Sequence, residues 1–254
     1  MEVRGKGLTA LTIVLALVLA AAACARATPT PPPTAEEVLS RARDAMSEVQ
    51  SYRFSADMGG EGEEGMKSVA VSGEWASPDR LHIRLEKRGE DAGDVNGVIA
   101  VGERTFVRDS DYTDGAWQEQ EPEPAGEVRP PFDIPSSDDL SDLQMLEDEM
   151  INGVSASHVR AMLMTASPVP SRPPSDEASQ DDQMVTVVYD FFVSKADYRL
   201  LRVKMDIDMF MPPSIKPGEE PDEEQEVHIT SRVTYDLYDY NEPTTIEVPE
   251  VNGG

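Results

Sequence analysis

The sequence predicts an α+β domain built on an antiparallel sheet, on three observations. A single amphipathic helical pattern opens the folded part of the chain. After it, apolar residues recur at every second position through most of the remaining segments, the period of a half-buried strand. No repeat of fixed period and no regular alternation of strands with helices is present, which separates the chain from solenoids and from parallel α/β folds.

Composition narrows the function. The 254 residues carry 22 Lys and Arg against 49 Asp and Glu, a formal charge of -27. Nucleic-acid binding needs a basic footprint that displaces counterions, so that class is excluded. The same charge opposes adsorption to anionic membranes, and any membrane attachment must be covalent or hydrophobic.

The N-terminus offers such an attachment. Arg4 and Lys6 precede an uncharged run from Leu8 to Ala23, shorter than the ~20 residues a spanning helix needs, and residues 1–23 read as a secretory signal. The run ends in Leu19-Ala20-Ala21-Ala22-Ala23-Cys24, and Cys24 is the only cysteine. This resembles the lipobox of bacterial lipoproteins, which implies acylation of Cys24 and cleavage before it. Ala21 stands where that family prefers leucine, and Ala25-Arg26-Ala27 offers an ordinary cleavage site that would discard Cys24. Residues 24–34 are then a lipidated cysteine and a Pro/Thr-rich tether, semi-extended in the polyproline manner. A chain beginning at Cys24 has 20 basic and 48 acidic residues. Its membrane partner is reached through the lipid anchor; without one it is secreted.

The domain is expected over 35–249, followed by a tail at 250–254. Thr34 and Glu37 have capping-box spacing, and Val38, Leu39, Ala42, Met46 and Val49 share a helical face, predicting a helix over 35–49. Tyr52, Phe54, Ala56 and Met58 then alternate with Arg53, Ser55 and Asp57. Val69 and Val71 lead to Trp75, Ser77-Pro78-Asp79 is a turn, and Leu81, Ile83 and Leu85 alternate again. Residues 98–108 read as a hairpin turning at Gly102-Glu103-Arg104. Residues 119–135, with five prolines and four glutamates, read as a loop. Ser137 is expected to cap a second helix carrying Leu140, Leu143, Leu146 and Met150. Strands are expected at 153–164, 184–193, 199–210 and 226–238, separated by polar Pro-rich segments at 166–182 and 211–225. Val203, Met205, Ile207 and Met209 against Lys204, Asp206 and Asp208 give the cleanest alternation, that of a strand with one wet face.

This order carries a resemblance. The terminal Cys, the first helix, Val-Ile-Ala-Val-Gly-Glu-Arg-Thr-Phe-Val at 98–107, Trp117, a middle helix, Asn-Gly-Val-Ser-Ala-Ser-His-Val at 152–159 and the closing segment 238–249 are together similar to the LolA-like lipoproteins, especially the LppX/LprG group. The resemblance implies a strongly curved antiparallel sheet, a half-barrel with two or more helices on its concave side. It also implies a cavity for acylated lipids or a lipoprotein's acyl chains. The acidic loops depart from that group.

Catalytic patterns fail on inspection, and the chain is read as no enzyme, with no cofactor. Gly153-Val154-Ser155-Ala156-Ser157 misses the nucleophile elbow at its last position and lies in a predicted strand. His82, His158 and His228 are single histidines on separate strands, without metal-ligand spacing. Asp109, Asp111, Asp114 and Gly115 resemble a calcium loop, but the sixth and twelfth positions hold Asp114 and Gln120.

The expected ligand site is a sheet-lined cavity for a lipid or another apolar molecule, lined by Phe54, Met58, Val69, Val71, Leu81, Ile83, Met162, Met164, Val203, Met205, Ile207 and Met209. Flexible thioethers suit a pocket that accepts apolar ligands of varied shape, and equally suit core filling. The competing reading is a cell-envelope sensor or interaction module of the same fold with a solid core, presenting its acidic loops to a protein partner.

Overall fold

The computed structural model describes residues 31–61, 69–87, 95–109, 115–120, 130–166, 184–211 and 227–251. The chain divides into two compact units, Met1–Pro33 and Thr34–Gly254. The signal, Cys24 and most of the tether lie outside the described residues. So do most of the three Pro-rich loops, the acidic turn at 111–114 and the His228 side chain.

The second unit opens with α1, Ala35–Ser47. Its predicted capping box is formed: Thr34 Oγ1 accepts from the Glu37 amide at 3.2 Å, and Glu37 Oε2 accepts from the Thr34 amide at 3.0 Å. Ala35, Val38, Leu39 and Ala42 are the buried stripe. Among the described residues twelve strands follow: β1 (Ser51–Glu61), β2 (Val69–Ala76), β3 (Arg80–Lys87), β4 (Val95–Val101), β5 (Arg104–Arg108), β6 (Gln118–Gln120), β7 (Leu140–Met145), β8 (Glu149–Ile151), β9 (Val154–Ala166), β10 (Met184–Ser194), β11 (Leu200–Met211) and β12 (Val227–Tyr238).

They form one antiparallel, curved, open sheet in the order β6-β5-β4-β3-β2-β1-β12-β11-β10-β9-β7, with β8 beside β9. Two consecutive meanders are thus joined edge to edge by their outermost strands, β1 and β12, which pair from Arg53↔Tyr238 to Glu61↔Thr230.

Strand periodicity sorts the residues onto two faces. The inner face carries Tyr52, Phe54, Val159, Phe191, Val193, Val203 and Leu237, which pack with the apolar stripe of α1 as the main core. α1 lies on β7, β9 and β10, across the sheet from the strand that follows it. The segment 130–137 also crosses this face. Phe132 and Ile134, inside a stretch expected to be a loop, are buried there, with Phe132 6.4 Å from Phe191 and 6.1 Å from Tyr235, ring to ring. The C-terminal segment returns under the other face, where Ile246 is buried against Ile99 and Phe106 and its carbonyl accepts from Arg80 Nη1 at 2.8 Å.

One expectation is overturned. Residues 137–150 are not a helix, and α1 is the single helix among the described residues. The three-residue spacing of Leu140 and Leu143 has another cause. The β7–β9 register shifts between Ser141 and Gln144, and Asp142 adopts φ 51°, so an irregularity returns Leu143 to the core side of a strand. Residues 149–151 pair with β9 through a two-residue hairpin at Asn152-Gly153, both with positive φ.

Candidate functional site

The inner face is covered unevenly. α1 packs on β7, β9 and β10 and Phe132 on Phe191 and Tyr235, while the apolar residues of β2 and β3 are only partly covered. Cross-strand register places Val69, Met58, Val233, Met205, Tyr189 and Ala161 in one row. Val71, Ala56, Tyr235, Val203, Phe191 and Val159 form the next. Toward β3 the face continues through Leu81, Ile83 and Leu85. Val203, Ala56 and Val159 are buried, but Val69, Val71, Leu81, Ile83, Met205 and Ile207 are only partly so, and Met58 is 37% exposed.

Most of the expected lining residues therefore share one surface, with two qualifications of depth. Phe54 is fully buried, its ring over Gly73, and Val203 is fully buried under the core. Both are wall rather than lining. Met209 pairs with Val185 on β10, and its side chain lies outside the described residues.

Met162 and Met164 do not belong with them. In β9 the core-facing positions are Val159, Ala161 and Leu163, so Met162 and Met164 point to the opposite face, where Met164 is 56% exposed. Methionine content cannot report which face a strand position occupies; the period around Val159 could have done so.

That outer face is polar and cross-linked. Arg160 donates to Asp190 through Nε at 2.9 Å and Nη2 at 3.0 Å, and His158 Nε2 lies 2.9 Å from the same carboxylate. His158 Nδ1 is 3.2 Å from Glu149, and its ring stacks on Phe192 with centroids 4.3 Å apart. Burial alone would raise the Asp190 carboxyl, but the hydrogen bonds from Arg160 and His158 outweigh it and hold the group below the ordinary carboxylate range. Both histidine nitrogens thus face carboxylates, and the arrangement ties β8, β9 and β10 together without presenting a nucleophile. Arg202 to Asp236 (2.7 and 3.0 Å) and Arg232 to Asp206 (2.6 Å) continue the lattice across β11 and β12.

A cavity of about 800 Å³ opens at the far ends of β1 and β10–β12, bordered by Asp57, Thr186, Val188, Asp206 and Asp208 of the outer face and by Ile207 of the inner one. Carboxylates and hydroxyls make up most of its lining, and Ile207 is the residue it shares with the apolar inner face. Among the described residues no group of three or more His, Cys, Asp or Glu is placed to hold a metal. No described helix is long and apolar enough to cross a membrane.

No family model and no curated protein matches the chain. Among solved structures it is similar to the lipoprotein LppX of Mycobacterium tuberculosis, at 16% identity over 84% of this chain and 98% of that one, with a TM-score of 0.47. LprF of Mycobacterium bovis gives 14% identity, coverage of 87% and 99%, and a TM-score of 0.49. A LolA superfamily protein of Nitrosomonas europaea gives 10%, 84% and 96%, and 0.28. The resemblance is one of fold. It assigns no ligand.

Proposed function

We propose that the protein is an extracytoplasmic lipoprotein, anchored through Cys24, that binds or carries a lipid or another apolar ligand against the concave face of its sheet. The observation that carries this reading is the partly exposed remainder of that face. Met58, Val69, Val71, Leu81, Ile83, Met205 and Ile207 form a partly exposed apolar surface continuous with the core. A contiguous apolar surface of this kind on a highly charged chain marks a place where something apolar docks. Each acyl methylene buried there contributes ~0.8 kcal/mol, so a long chain binds without a specific polar contact. That accords with a sequence that carries no catalytic constellation.

The test is mass spectrometry of lipids co-purifying with the secreted Cys24→Ser chain. A lipid at near-unit stoichiometry, lost on Val71→Asp, is the expected result. A chain that emerges lipid-free and takes up no lipid from vesicles, yet captures a protein in a salt-sensitive manner, sinks this reading in favour of an interaction module.

A further inference from the structure

The apolar face ends in a pair of hydrogen-bond donors that have nothing to donate to. Tyr52 Oη and Trp75 Nε1 are both buried without a hydrogen-bond partner. They are neighbours, paired across β1 and β2 with ring centroids 5.5 Å apart. Buried donors are almost always satisfied, so two orphans side by side ask for an acceptor. The contrast with Tyr240 is local: packed against Tyr52 and only partly buried, it donates to the Leu200 carbonyl. Burial raises the Tyr52 hydroxyl well above its ordinary range, which keeps it a neutral donor.

The position of the pair identifies the acceptor. Trp75 pairs with Leu81, and the adjoining rows run through Ile83 and Val71 to the exposed Met58. No charged side chain shares this face over the described stretches 52–58, 69–75, 81–85, 203–207 and 233–237. A carboxylate or phosphate drawn so deep would lose its hydration with no cation on these strand stretches to meet it. An uncharged carbonyl oxygen loses far less and accepts from both donors.

We propose that Tyr52 and Trp75 form the polar subsite of the apolar face and receive the carbonyl oxygen of an ester-linked lipid whose chains lie along the rows toward Met58. This rests on the lipid-binding reading above. The Phe132 backbone amide lies against the Tyr52 hydroxyl, where it can donate but cannot accept the phenolic hydrogen, and the segment is held to α1 by Arg43 Nε donating to the Pro135 carbonyl at 3.1 Å. The ligand reaches the donors as this segment moves aside.

The experiment compares two probes of equal chain length by calorimetry on the Cys24→Ser chain: dioctanoylglycerol, a diester, and 1,2-dioctylglycerol, its diether. The diester is expected to bind about tenfold more tightly, the worth of one or two hydrogen bonds. In Tyr52→Phe that preference should shrink severalfold, with diether affinity unchanged. Because the hydroxyl has no acceptor in the free protein, Tyr52→Phe should not lower the thermal midpoint of the ligand-free chain. Equal binding of the two probes overturns the subsite and leaves the lipid reading standing. A preference that survives Tyr52→Phe, or a lowered midpoint, shows the hydroxyl to be satisfied from within and also overturns it. Binding of neither probe removes both readings together.

Discussion

Asp190 shows how a single carboxylate can organise a sheet face. It is 7% exposed and receives three hydrogen bonds from two strand-mates on β9. Its folded-state pKa is depressed, so its contribution is fully present above the ordinary aspartate range and is lost as the pH falls through the lowered value. Asp190→Asn should cost ~2 kcal/mol at pH 7. In urea melts from pH 7 to pH 2, the wild-type midpoint should fall toward that of the variant in the acid range. A constant gap at all pH values would show that the carboxylate charge is not what holds β9 to β10. Gly73 is the inner-face counterpart. A Cβ there would stand 2.6 Å from the Phe54 ring and against the His82 carbonyl of the neighbouring strand. Gly73→Ala must therefore displace the wall of the proposed site or spread β2 from β3, at ~1–3 kcal/mol. Calorimetric melting should show the loss, and affinity for dioctanoylglycerol should fall with it.

At the scale of elements, local signals were legible where chemistry and period agreed. Thr34 and Glu37 foretold the start of α1, and its loss is predictable: Thr34→Ala removes the cap and should cost ~1 kcal/mol in a denaturant titration. The alternations from Tyr52, Leu81 and Val203 placed their strands, because one buried face and one wet face leave a period of two in the sequence. The segment 137–150 was illegible for a physical reason. The β7 irregularity near Asp142 imposes a spacing of three on Leu140 and Leu143, which imitates a helix. The competing signal, Asn152-Gly153, is a strong hairpin dipeptide and requires a strand on each side. Phe132 and Ile134 were hidden differently, since the flanking prolines exclude a strand but not burial of the side chains between them.

For the whole molecule, part of the candidate site could be read from sequence and part could not. Parity along β1, β2, β3 and β11 fixed which residues share a face. Openness depends on where α1 and the 130–137 segment lie, and no local pattern encodes that α1 crosses to β7, β9 and β10. The proposed anchor belongs to this scale too. Two or three acyl chains on Cys24 hold a protein to a bilayer where one is marginal, against a domain that anionic headgroups repel. Cys24→Ser should move the protein from the membrane fraction to the medium. A wild-type chain that begins at Thr28 with no lipid mass would end the anchor reading and leave the ligand site untouched.

The seam between β1 and β12 governs when this chain can finish folding. Each meander pairs strands close in sequence, but β12 is the last described strand, and until it is present no strand pairing joins the two meanders. Closing contacts so far apart is slow, because the loop entropy is lost before the pairing rewards it. A nascent or truncated chain ending before Val227 would hold two sheets with bare edges, open to pairing with other copies. Separately made pieces spanning 34–120 and 130–251, mixed as unfolded chains, should recover one cooperative melting transition through that pairing and the packing of α1 on β7, β9 and β10.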